Sequence, residues 1–127
     1  MEVNDITEKV IGAAIAVHKE LGAGLLESAY ESCLAFELMD RGLKVERQKS
    51  LQVNYRGHTV NCAYRLDLVV EGQVIVEIKA VEKLLPVHKA QLLSYLKLSG
   101  IKVGLLVNFH ETTLMRGLQR LVLDYKA

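Results

Sequence analysis

An α/β fold, a small mixed β-sheet flanked by helices, is what this sequence predicts, and a change of hydrophobic period along the chain predicts it. Near the N-terminus apolar residues recur at helical spacing, as Ile6, Val10, Val17 and Leu21 do. In the middle the spacing becomes strict alternation. In Cys62–Val70 the even positions Cys62, Tyr64, Leu66, Leu68 and Val70 are apolar, and in Gln73–Ala80 so are Val74, Val76, Ile78 and Ala80. Helical spacing marks a helix with one buried stripe, and alternation marks a half-buried strand. A second change, back to helix after Pro86 and then to a short apolar run, adds a crossover and a buried strand.

Each element has its own signals. The first helix is expected to start at Asn4 or Asp5, a capping side chain followed by Glu8, and to be interrupted by Gly22 and Gly24. A second helix is expected from about Leu25 to Asp40, stopping at Gly42, where a left-handed residue suits the end of a helix. Leu43 to Tyr55 alternates loosely, and Arg56-Gly57-His58 reads as a hairpin turn. Glu71-Gly72 is the turn between the two central strands. Pro86 suits the first turn of a third helix, which runs to about Ser99 before Gly100. Lys102 to Phe109 is the short apolar run, expected to lie parallel to its neighbour. Thr112 to Leu123 is expected to close the chain as a helix with Leu114, Leu118 and Leu121 on one stripe. The order is helix, helix, three strands in a meander, helix, strand, helix.

Composition narrows the class. The 127 residues suit one domain over 1–127, and 50% hydrophobic content with a net charge of +1 argues against disorder. The longest nearly apolar run, Val10 to Val17, is shorter than the ~20 residues a bilayer needs, so no membrane association is expected. The acidic start Met-Glu-Val-Asn-Asp is unlike a secretory signal, which places the expected location in the cytoplasm. Cys33 and Cys62 stand alone, without CxxC spacing, and read as reduced core thiols. Sixteen Lys and Arg against fifteen Asp and Glu give no overall field for a nucleic acid, so any such binding needs a local patch.

The odd positions of the two central strands carry Arg65, Asp67, Glu77 and Lys79. An odd-length hairpin loop puts these on one face, with Asp67 opposite Glu77, whereas an even loop separates them. A solvated face of cross-strand ion pairs is the plain reading. Against it, central strands are covered on both faces, where charge is costly unless paired or metal-bound. Two carboxylates so placed can hold Mg²⁺ or Mn²⁺, which lowers the pKa of a bound water and draws charge from phosphoryl oxygens. Lys79, two residues past Glu77, can orient that water and stabilise developing negative charge.

Asp67…Glu77-Ile78-Lys79, on a hairpin between helices, resembles the PD-(D/E)XK nuclease superfamily, whose core runs α-β-β-β-α-β. Gly24-Leu-Leu-Glu27-Ser-Ala-Tyr30 matches the signature of its GxxExxY family. The resemblance covers essentially the whole chain and implies a restriction-endonuclease-like core with an extra N-terminal and a C-terminal helix. It implies Asp67 and Glu77 as metal carboxylates and Lys79 as the catalytic lysine. Glu27 corresponds to the acidic residue often supplied by the leading helix, as a direct or water-mediated ligand; otherwise it is a first-turn Glu favoured by the helix dipole. Leu66 stands where the superfamily's Pro would precede Asp67.

Gln91 and Tyr95, spaced i, i+4, resemble the motif of the RecB-like branch, which contacts the substrate beside the active site; a helix surface stripe is the alternative. Arg65 is the further substrate-binding candidate. His18 and His88 are left outside the metal site, and Arg116 and Arg120 form an i, i+4 pair on the expected last helix. The function so implied is a divalent-metal-dependent nuclease hydrolysing phosphodiester bonds, with DNA expected ahead of RNA. The small size leaves specificity to substrate structure, a homodimer or a protein partner. The competing reading is a catalytically silent module of the same fold that binds nucleic acid or protein.

Overall fold

The structure, a computed structural model, describes residues 1–123, apart from the side chains of residues 62 and 63. The reading of Cys62 as a core thiol therefore lies outside the described residues. Two helices, α1 (Val3–Leu21) and α2 (Glu27–Asp40), lead into strands β1 (Val45–Tyr55), β2 (His58–Val70) and β3 (Val74–Lys79). Helix α3 (Pro86–Ser99) crosses over to β4 (Val103–Asn108), and a 3₁₀ turn (Leu114–Gly117) precedes β5 (Leu118–Val122). Among the described residues the sheet has five strands in the order β1-β2-β3-β4-β5. Of these pairs only β3–β4 is parallel, so the sheet is mixed as expected.

Burial explains the layering. Helix α1 turns Ile6, Val10, Ala13, Ala14 and Val17 inward, and α2 turns Tyr30, Leu34, Ala35 and Leu38. Both pack on Leu68, Val70, Val74, Val76 and Ile78 of the central hairpin. Helix α3 covers the other face, where Leu92, Tyr95 and Leu96 meet Val69, Ile75 and Leu106. Strand β4 is buried throughout and β3 nearly so, as strands covered on both faces must be. Helix α2 ends as its sequence suggests: Gly42 takes φ 87° and the Leu43 N–H reaches the Leu38 carbonyl at 3.1 Å. Among the described residues, no helix is long and apolar enough to cross a membrane.

Three expectations are corrected. The C-terminal helix is absent: Leu114–Gly117 is a short 3₁₀ turn, and Leu118–Val122 is a strand antiparallel to β4. Leu118 joins the core under α1 and α2 while Leu121 joins the core under α3. Two residues three apart on opposite faces fit a strand, and the same spacing imitates one stripe of a helix. Pairing also satisfies the free edge of β4, whose backbone groups would otherwise lack partners. Arg116 and Arg120 accordingly form no helical pair, and Arg120 Nη2 instead donates to Asn4 Oδ1 at 2.7 Å. The first helix begins earlier than expected, with Glu2 at the N-cap and no side-chain cap. Leu66 leaves the face of Leu68 and packs in the α3 core, so the apolar face of β2 switches at Asp67.

Close approach dictates one residue in the final turn. A Cβ on Gly117 would lie 2.1 Å from the Asn108 carbonyl oxygen. Gly117→Ala is expected to cost roughly 2–3 kcal/mol through this overlap, seen as a loss of roughly 10 °C in Tm by calorimetry.

Candidate active site at the open end of the central hairpin

The β2–β3 connection decides the site. Val70 pairs with Val74, leaving residues 71–73 as an odd loop in which Glu71 and Gly72 take φ 54° and 65°. The ladder runs through Leu68↔Val76 and there it ends. At the next position each carboxylate takes over a backbone donor of the opposite strand. The Asp67 N–H donates to Glu77 Oε2 at 2.8 Å, and the Ile78 N–H donates to Asp67 Oδ2 at 2.8 Å. The strands thus part at Asp67 and Glu77, and their carboxylates fill the opening without stranding a buried N–H.

Glu77 is 5% exposed. Burial, followed by the negative charge of Asp67, pushes its pKa up to about 8; the Asp67 N–H and Lys79 pull the other way. A buried acid beside a second acid lacks positive charge, and a cation supplies it. Lys79, half-buried two residues on, lies close enough to act on Glu77. The end of β3 is held by Asn108, the register partner of Lys79 on β4. Fully buried, Asn108 bonds the Val81 N–H at 3.0 Å and the Val81 carbonyl at 2.8 Å, fixing the chain as it leaves Lys79.

A third acid joins from α2, and it is Glu31. It is buried, and Arg47 holds its Oε2 through Nη2 at 3.1 Å and Nε at 3.3 Å. Gln48 Nε2 bonds both Glu31 Oε1 and Asp67 Oδ1, the latter at 3.3 Å. Gln48 sits across from Asp67 in β1 with φ 49°, a conformation costly for a non-glycine residue in mid-strand. Its side chain thereby links the acid of α2 to that of β2. Sequence reasoning missed both residues. Glu31 had a legible signal, since it lies on the stripe of Leu34, Ala35 and Leu38 that faces the core. Gln48, inside the polar run Glu46 to Ser50, had none.

Glu27 is not brought to this group. It stands exposed at the first position of α2, one turn before Glu31, and its side chain makes no hydrogen bond among the described residues. The signature around it builds a joint. Tyr30 Oη donates to the Gly22 carbonyl at 2.6 Å and accepts from the Leu25 N–H at 3.1 Å, while its ring stacks on Phe109 with centroids 4.4 Å apart. Tyr30→Phe is expected to cost about 1–2 kcal/mol by removing both bonds, to the half-buried Gly22 carbonyl and from the Leu25 N–H, measurable as a lower urea midpoint at unchanged m.

Tyr95 is brought to the site. Burial, then Glu77, Tyr64 and Asp67, raise its pKa, and its ring lies 6.2 Å from that of Tyr64. Gln91, half-buried one turn earlier on α3, bonds none of the acids. Arg65 is exposed and, alternating with Tyr64 and Leu66, points away from the α3 side. His88 Nδ1 accepts from the Leu85 N–H at 3.0 Å, and His18 Nε2 bonds the Glu111 carbonyl at 2.9 Å. Both histidines are engaged away from the acids.

No three His, Cys, Asp or Glu side chains form a ready-made metal cage among the described residues. Mg²⁺ does not require one, since it binds through one or two carboxylates and keeps several waters. Asp67 and Glu77 fit it: both are hard oxygen donors, adjacent, and short of positive charge. Against family models, residues 4–121 match that of the PD-(D/E)XK nuclease superfamily. Comparison with curated proteins and with solved structures finds no match.

Proposed function

This chain belongs to the PD-(D/E)XK nuclease superfamily, and from that premise we propose that it is a divalent-metal-dependent nuclease cleaving phosphodiester bonds, DNA before RNA. The observation that carries the reading is the opening between β2 and β3, where Asp67 and Glu77 meet with Lys79 beside them. Asp67 and Glu77 hold Mg²⁺ or Mn²⁺, with Glu31, through Gln48, steering the Asp67 carboxylate. When bound, the cation activates water and withdraws charge from the phosphoryl group. Lys79 orients the attacking water and stabilises the charge that develops on the phosphoryl oxygens. Tyr95 and Gln91 line the substrate's approach from α3. Glu27 favours the start of α2 through the helix dipole. The Gly24…Glu27…Tyr30 signature supports assignment to the GxxExxY family, and a cytoplasmic location is part of this reading.

The test is cleavage of end-labelled single- and double-stranded DNA and RNA with Mn²⁺, Mg²⁺ or EDTA. Products that require the cation, with DNA cut faster than RNA, are expected. No cleavage of any substrate, with or without added protein partners, would leave the silent binding module as the better reading.

A further inference from the structure

The charge of the chain is nearly balanced overall, yet one segment is not. From Arg47 to Leu66 there is no Asp or Glu, while Arg47, Lys49, Arg56 and Arg65 are cationic. Arg47 and Lys49 are engaged at the base by Glu31 and Glu46. Arg56 and Arg65 form no ion pair with a described residue; Arg56 lies over the Tyr55 ring at 5.3 Å.

This segment is also set apart in shape. Strand β3 pairs with β2 only over 68–70, so beyond Asp67 strands β1 and β2 continue as a two-stranded ribbon. Helix α3 supports its base at Leu51 and Leu66. Past Leu51↔Tyr64 the register shifts, with Val53 next facing Val60, and the ribbon runs to Tyr55↔His58 and the Arg56-Gly57 turn. Gln52, Asn54, Tyr55, Arg56, His58 and Thr59 are all exposed. At ~3.3 Å per residue the ribbon reaches roughly 25–30 Å from Asp67 to its tip.

We infer that the β1–β2 ribbon is an arm that grips B-form duplex DNA through the major groove and its phosphates, holding one strand toward Asp67 and Glu77. The inference rests on the nuclease reading above. A two-stranded ribbon fits the B-form major groove, about 12 Å wide, whereas the deep, narrow groove of duplex RNA does not admit side chains. A cationic, acid-free surface complements phosphate, and a bend at the register shift re-aims the tip relative to the sheet. The arm also locates the local patch that a near-neutral protein needs to bind nucleic acid.

The test is binding of a short fluorescent DNA duplex to Lys79→Ala protein, followed by anisotropy between about 50 and 200 mM salt. In that background, Arg56→Asn with Arg65→Gln is expected to weaken binding alike on unrelated sequences and to flatten the log–log salt slope by about 2. Asn tolerates the left-handed backbone at position 56, so the turn is kept. Arg56→Lys with Arg65→Lys is expected to restore most of the slope. Unchanged affinity and slope in the Asn/Gln variant would overturn the arm, as would absence of duplex binding or equal arm-dependent binding of duplex RNA. A change in sedimentation without a change in DNA binding would make the ribbon an interface between copies and also overturn it. The two readings fail separately. Arm-dependent binding by a wild-type protein that never cleaves supports the arm and overturns the nuclease; metal-dependent cleavage with arm-independent binding does the reverse.

Discussion

Lys79→Ala is expected to lower kcat for metal-dependent DNA cleavage by roughly 10²–10³-fold, the usual cost of removing one group that meets developing oxyanion charge. The fold should survive. Lys79 is half-buried, lies at the end of β3, and has no ion pair among the described residues whose loss would strand a partner. Its backbone carbonyl, which accepts from the Phe109 N–H at 2.9 Å, is untouched by the substitution. Initial rates on an end-labelled duplex in Mn²⁺, with Tm measured alongside, check both halves of the expectation. Lys79→Arg should recover little, because a planar fork cannot take the place of a compact ammonium beside Glu77. Wild-type rates in Lys79→Ala would remove the lysine from the chemistry, and with it the main link between this hairpin and hydrolysis.

Glu77→Gln is expected to raise stability above pH 8 in EDTA while abolishing cleavage. In the folded protein burial and the charge of Asp67 push the Glu77 pKa up to about 8, against 4.5 for a glutamate in water. Between those values the folded state binds more protons than the unfolded state, so stability falls as pH rises. The contribution is fully present below about 4.5 and lost as pH climbs through about 8. The sum is on the order of a few kcal/mol, because one pKa unit corresponds to ~1.4 kcal/mol. Gln has no charge to desolvate, and its amide oxygen can still accept from the Asp67 N–H. Divalent cation should reverse the ranking. It stabilises the wild type increasingly as pH rises, because metal ligands must be deprotonated, and it should leave Glu77→Gln nearly unmoved. Thermal melts at several pH values, with and without Mn²⁺, decide the matter. Equal pH profiles for the two proteins would show that Glu77 carries no burden of charge.

The sequence made the centre of this molecule legible and its margins much less so. Strict alternation in β2 and β3, with one connection between them, brings Asp67 to Glu77 wherever the loop is odd, and residues 71–73 are odd. Helix α3 and the parallel β4 followed from Pro86, Gly100 and an apolar run too short for a helix. What escaped depends on contacts remote in sequence. Strand β5 exists because β4 has an edge to cover, and its leucines imitate a helix until the two faces of the sheet are known. The acid supplied by α2 was placed at Glu27 on the strength of a signature, although that signature serves Tyr30 and the loop it ties down. Glu31 was visible only as a charge on a buried stripe, and Gln48 acquires meaning from a backbone turn that residue type does not announce.

The short connection at residues 71–73 also sets where this gene can change length. Hairpins close through loops of about two to five residues, so one residue added to or taken from the connection can be absorbed there while Val70 still meets Val74 and Glu77 keeps its face. A residue added within the paired stretch of β3 cannot be absorbed in this way, and would turn the side chains beyond it over, sending Glu77 and Lys79 toward α1 and α2 and Ile78 toward α3. Tolerance to insertion should therefore fall abruptly from the connection to the paired residues beside it. At the Arg56-Gly57 turn an insertion is absorbed in the same manner and changes only the tip of the ribbon.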